Sequence, residues 1–134
     1  MDNQTKAIDT PFGRRDAYGA LSMPVYHTAA YEFDTAADMA DAFTGRVLAP
    51  DYSRVMNPTV TFLEDKVRNI TNAHAVVAMS SGMAAISATM LALSAQGKNI
   101  VTSRHMFGNR FSLITSRLPR FGVEARTSDM HDLE

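Results

Sequence analysis

One stretch repeats apolar residues at helical spacing more clearly than any other. Val60, Leu63, Val67 and Ile70 fall on one face, and Asn57-Pro58 before them joins an N-cap residue to a proline in the first turn. A helix is therefore predicted over 58–71. A shorter helix is predicted over 35–44, where Asp34 or Thr35 can cap, Ala36, Met39, Ala40 and Phe43 share a face, and Gly45 can terminate. Residues 46–56 read as a loop. Glu64 and Arg68 stand four apart on the long helix and are expected to form a solvated pair worth roughly a few tenths of a kcal/mol.

The pattern then changes. Ala75, Val76, Val77 and Ala78 suit a buried parallel strand, Ser80-Ser81-Gly82 turns the chain, and residues 83–96 are a run of helix formers. That helix is apolar for about a dozen residues, short of the roughly 20 that span a bilayer, so a buried helix is expected. Gly97 breaks the chain and 99–103 reads as a second strand. Phe107, Phe111, Ile114 and Leu118 mark one face of a further helix that Pro119 should stop. Residues 122–127 alternate Val123, Ala125 and Thr127 with Glu124 and Arg126, as a strand near a sheet edge does, and from Asp129 something helical begins. Strands alternating with helices imply an α/β class with a parallel sheet, and such sheets extend beyond three strands and are covered on both faces. The chain is expected to stop in mid-fold.

Residues 1–33 keep no period. Pro11, Gly13, Gly19 and Pro24 are scattered among Phe12, Tyr18, Tyr26, Tyr31 and Phe33, which reads as an extended arm. An arm this aromatic cannot cover itself, so it is expected to lie on another surface, of the same subunit or of a partner.

Composition narrows the class. The 134 residues allow one folding unit. Apolar residues are 46%, charged residues 20% and the formal charge −1, which offers no electrostatic case for nucleic acid or a membrane surface. Cysteine is absent, which rules out a disulfide framework and thiolate metal sites, and the polar first residues lack the apolar core of a signal peptide. The cytoplasm is the expected location. The nine methionines read as core filling.

Candidate chemistry centres on the strand–turn–helix at residues 75–86. The first turn of a helix carries unpaired N–H groups and the positive end of the macrodipole, and Gly82 lets an anion approach the backbone, so phosphate is the first ligand to consider. No lysine follows Gly82 as a Walker A motif requires, and G-x-G-x-x-G is not matched. Ala78-x-Ser80-x-Gly82 also resembles a nucleophile elbow, for which His105 or His131 and Asp129 or Asp132 could complete a triad. Equally, Ser80 and Ser81 can be turn and cap residues alone. His27, His74, His105 and His131 are not spaced as metal ligands, so no metal site is expected. In the loop before the long helix, Arg54 can pair with a phosphate and Tyr52 can donate a hydrogen bond to it; a solvated loop arginine is the plain alternative.

Taken together, Tyr52-Ser53-Arg54-x-x-Asn57-Pro58-Thr59, Ser80-Ser81-Gly82-Met83-Ala84-Ala85-Ile86 and Phe107-Gly108 resemble the Cys/Met-metabolism family of pyridoxal-phosphate enzymes. The resemblance runs from about Gly19 to Glu134. It implies the fold-type-I, aminotransferase-like architecture, incomplete here: an N-terminal arm with a short helix over 1–45, then the first βαβαβ portion of the large cofactor-binding domain over 46–134. It further implies that pyridoxal 5′-phosphate is the cofactor. Ser81 and the backbone N–H groups of Gly82 and Met83 would hold its phosphate, Tyr52 and Arg54 would reach the phosphate of a neighbouring subunit, and Phe107 would stack on the pyridine ring.

Many family members have tyrosine at the position of Phe107, and phenylalanine keeps the stacking but loses the hydroxyl. Phe-Gly there tilts the resemblance toward sulfhydrylases that act on O-acetyl- or O-succinylhomoserine with sulfide or a thiol. Cystathionine γ-synthases, cystathionine γ-lyases and methionine γ-lyases are the alternatives within the family. The family's Schiff-base lysine, the aspartate of the pyridine nitrogen and the carboxylate-binding arginine are expected beyond Glu134, on the rest of the polypeptide or a companion chain. The chain alone is therefore expected to be inactive, and the assembly to be a homo-oligomer, a dimer of dimers. Outside the family, a small serine hydrolase and a non-catalytic oligomerisation or phosphate-binding module compete.

Overall fold

A computed structural model describes residues 2–12 and 16–130. Gly13, His131 and Asp132, and with them most of the helix expected after Asp129, lie outside the described residues. The elements run α1 (Asn3–Ile8), α2 (Ala36–Phe43), α3 (Pro58–Thr71), α4 (Gly82–Leu93), β1 (Asn99–Ser103), α5 (Gly108–Ser112) and β2 (Glu124–Ser128). They gather into two compact units, Met1–Ala78 and Met79–Glu134, where the length had suggested one. The division falls at the end of the segment 75–78, which belongs to no ladder among the described residues.

In the first unit, α3 begins and ends where its pattern indicates. Asn57 Oδ1 accepts the Thr59 N–H at 2.9 Å, Pro58 fills the first turn, and Asn72 closes the helix in the left-handed region at φ 53°. α2 is capped by Thr35, whose hydroxyl oxygen accepts the Asp38 N–H, and Gly45 follows at φ +70°.

The arm is not wholly irregular. α1 forms because the Asp2 carboxylate accepts from both the N–H and the hydroxyl of Thr5, at 2.8 and 2.9 Å. Its six residues carry no apolar period, so only the cap could have revealed it. α1 packs on α3, with Lys6 Nζ donating to Asn72 Oδ1 at 3.0 Å. Phe12 meets Phe62 edge to face at 5.9 Å. The Tyr26 N–H donates to Thr59 Oγ1 at 2.9 Å, and Ala30 and Tyr52 form an antiparallel bridge. Much of the arm thus lies on its own unit, while Tyr18 and Leu21 stay fully exposed.

One expected pair is absent. Arg68 binds Asp65 at 2.8 Å, and Glu64 instead accepts the backbone N–H of Ala78 at 2.7 Å. A backbone donor offered by the returning chain takes the carboxylate that the i,i+4 spacing assigned to arginine.

In the second unit β1 and β2 pair in parallel, Asn99 opposite Glu124 through Ser103 opposite Ser128. Ile114, Leu118 and Val123 are buried there, with Met90, Ile100, Met106 and Ala125 against them. The helix expected from Phe107 to Leu118 is divided. α5 lasts one turn, residues 113–117 widen into a π-helical turn with the Leu118 N–H on the Leu113 carbonyl, and 118–121 tighten into a 3-10 turn. Pro119 cannot donate and crowds the turn before it, so the chain rewinds instead of stopping. Gly122 then turns at φ +77°, where an added Cβ would meet Gln96 Cγ at 2.7 Å.

Two further expectations differ. Residues 75–79 form no strand among the described residues, and Val77 is 70% exposed. No residue of α4 is buried, because α5 is the helix that packs on it within the unit. An all-round apolar helix needs cover on every side. No helix among the described residues is long and apolar enough to cross a membrane.

Two outcomes follow from the caps. Asn57→Ala removes a buried side chain that also donates to the Tyr26 carbonyl at 3.1 Å and to Ser53 Oγ at 2.9 Å, and should cost about 1–3 kcal/mol in urea unfolding. The Thr5 N–H, then its hydroxyl, hold the Asp2 carboxyl below its ordinary value of 3.8. The cap's contribution is therefore present above pH 3.8 and lost as pH falls through the lower folded value. An acid titration followed at the Thr5 amide should show α1 fraying in that window, and Asp2→Asn, which still caps, should not titrate there.

Candidate functional site

The first turn of α4 is built by its cap. Ser81 is extended at φ −157°, its Oγ accepts the Ala84 N–H at 3.1 Å, and its carbonyl accepts the Ala85 N–H. The amides of Gly82 and Met83 remain at the open end of a twelve-residue helix, with no intrahelical acceptor. Nothing lies within 4 Å of where a Cβ on Gly82 would stand, so an anion meets no side chain there. Ser81 Oγ is engaged as the cap, which is the plainer of the two roles open to it.

In the same unit, Phe107 lies beyond the carboxyl end of β1. Its ring is 78% exposed, and its carbonyl accepts the N–H groups of Arg110 and Phe111. The carboxyl ends of parallel strands are where α/β folds bind ligands. There too, His105 Nε2 faces an Asp129 oxygen at 3.4 Å, and Arg104 reaches the other oxygen of that carboxylate at 3.8 Å. Away from that end, on β2, Glu124 and Arg126 share two hydrogen bonds of 2.9 and 3.0 Å. The bond and the opposite charge hold the Glu124 carboxyl below its usual range and raise Arg126, both at the surface.

Tyr52 and Arg54 belong to the first unit. The Tyr52 carbonyl accepts from the N–H groups of Val55 and Met56, which closes a tight turn, and the Arg54 guanidinium lies 5.4 Å from the centre of the Tyr52 ring. Arg54 forms no ion pair among the described residues. Beneath the turn, Tyr31 Oη and Ser53 Oγ are 3.1 Å apart, and Ser53 Oγ donates to the Thr28 carbonyl. An exposed, unpaired guanidinium held over an aromatic face on a braced turn suits an anionic ligand.

These two anion-seeking features, an open helix N-terminus and an uncommitted arginine, agree with a known family. Residues 4–134 match the family described as Cys/Met metabolism PLP-dependent enzyme. The chain belongs to this family. It is 38% identical over 120 residues to an L-methionine gamma-lyase of Fusobacterium nucleatum, covering 90% of this chain and 30% of that protein. Over 120 residues it is 37% identical to an O-succinylhomoserine sulfhydrylase of Pseudomonas aeruginosa, with the same 90% and 30% coverage. A Campylobacter jejuni chain assigned as an O-acetylhomoserine (thiol)-lyase, solved with N′-pyridoxyl-lysine-5′-monophosphate, superposes with a TM-score of 0.89 at 31% identity. That match covers 99% of this chain and 31% of the solved one. The chain thus spans about 30% of the length of the curated relatives it matches.

Family membership establishes the architecture as an incomplete, N-terminal portion of the fold-type-I α/β domain, and pyridoxal phosphate as the cofactor. The residues of this chain fit that cofactor. The open amides of Gly82 and Met83 and the unpaired Arg54 are complementary to a phosphate, and the exposed Phe107 ring is complementary to an aromatic face. Within the first unit, the contacts of Glu64 with the Ala78 N–H and of Asn57 with the Tyr26 carbonyl were not foreseeable, because each depends on a backbone partner that no spacing rule selects.

Ser81→Ala removes the acceptor of the Ala84 N–H and should destabilise α4 by about 1 kcal/mol, seen as faster amide exchange in its first turn.

Proposed function

We propose that the complete protein is a PLP-dependent enzyme that replaces the γ-acyloxy group of O-acetyl- or O-succinylhomoserine with sulfide, giving homocysteine and the carboxylic acid. The 134 residues supply the anchor for the cofactor and are inactive alone. The observation that carries the sulfhydrylase reading is Phe107, an exposed ring without a hydroxyl beyond the carboxyl end of β1.

When bound, the cofactor supplies an electron sink for bond breaking at the substrate's α and γ carbons. The amides of Gly82 and Met83, with Ser81 fixing the turn, hold the phosphate. Phe107 stacks on the ring and, lacking a phenol, neither gives nor takes a proton. Tyr52 and Arg54 contact the phosphate bound by a neighbouring subunit, so the working form is a homo-oligomer, a dimer of dimers in the cytoplasm. Its domains are an arm over 1–45 and the start of the cofactor-binding domain over 46–134.

The second reading is γ-elimination. It is favoured by similarity to the methionine gamma-lyase, only slightly higher than that to the sulfhydrylase. Purified complete protein, supplied with each acyl homoserine and sulfide, should release homocysteine faster than it forms 2-oxobutyrate and ammonia from methionine. The reverse order overturns the sulfhydrylase reading. Arg54→Ala should weaken cofactor affinity about tenfold or more, or about 1.4 kcal/mol, in a fluorescence titration. Mixing that variant with a Gly82→Val variant should restore part of the binding, since shared subunits recreate one intact site.

A further inference from the structure

Glu64 sits on the second turn of α3, half-buried, and its Oε1 accepts the Ala78 N–H at 2.7 Å. Ala78 ends the segment 75–78 and stands three residues before the Ser81 cap. A backbone N–H away from bulk water needs an acceptor, and a side-chain oxygen at 2.7 Å supplies one that also fixes the position of the chain at that residue. Arg68 leaves this carboxylate free for the backbone because it is engaged by Asp65 at 2.8 Å.

We propose that Glu64 is a positioning residue for the cofactor. It pins the backbone at Ala78, from which the chain runs on into the Ser81-Gly82-Met83 turn. The inference rests on the reading of that turn as the phosphate anchor. The role requires an acceptor at this reach more than it requires the charge. Glutamine should therefore serve, and aspartate, one methylene shorter, should not.

The test is a pyridoxal-phosphate titration of the complete apoprotein, read by fluorescence and by the visible absorption of the bound cofactor. Asp65→Asn, which touches only the surface pair with Arg68, is the control. Glu64→Ala and Glu64→Asp should bind about tenfold or more weakly, about 1.4 kcal/mol per tenfold, while Glu64→Gln and Asp65→Asn stay within about threefold of wild type. Amide exchange at Ala78 should quicken in the alanine and aspartate variants and not in the glutamine variant. Should Glu64→Ala fail to fold, the aspartate and glutamine variants decide. A folded aspartate variant with wild-type affinity overturns the proposal, and so does a glutamine variant as weak as the aspartate one. If wild type itself does not bind pyridoxal phosphate, the reading of the turn falls; if wild type binds and every variant binds equally, only the role of Glu64 falls.

Discussion

The first unit depends on the side chain of Asn57. Its oxygen caps α3, and its amide donates to the Tyr26 carbonyl in the arm and to Ser53 Oγ in the loop that carries Tyr52 and Arg54. The residue is 9% exposed, so these bonds are made away from water, where an unmade one costs most. The distant Tyr26 segment and the adjacent loop are both tied to the start of α3 by a single amide. The loop that presents Arg54 is positioned as a consequence of how a helix begins.

Helix ends recur as the working parts of this chain. The start of α4 leaves the amides of Gly82 and Met83 without an acceptor among the described residues, since Ser81 takes the Ala84 N–H with its side chain and the Ala85 N–H with its carbonyl. At the end of α3 the Arg68 carbonyl accepts the N–H groups of Asn72 and Ala73, and the Asn72 side chain accepts from Lys6. Unpaired N–H groups at a helix start suit an anion, whereas the carbonyls at its end suit donors, so the two ends are closed by different partners.

Long amphipathic and capped elements were legible because their signals are local. α3 matches its pattern at both ends, β1 falls on its predicted residues, and Thr35 and Gly45 bracket α2 as expected. The elements that differed are those in which partners at a distance decide. Residues 75–79 have strand composition but join no ladder among the described residues, α4 is apolar on all sides yet has no fully buried residue, and Glu64 leaves Arg68 for a backbone amide. α1 escaped notice for the opposite reason, since six residues of which only Ala7 and Ile8 are apolar carry no period and are held by one cap.

The residues alone pointed to the family and the cofactor, because the stretches that carry the resemblance are short runs of adjacent residues whose types are dictated by backbone geometry. Tertiary structure decided which donors stay open and which acceptors are spent. Ser81 is a cap, Arg54 has no carboxylate and stands over Tyr52, and Glu64 is committed to Ala78. Hydrogen-bonding capacity belongs to each residue type, but its allocation depends on distances between segments far apart in the chain, and folding alone sets those distances.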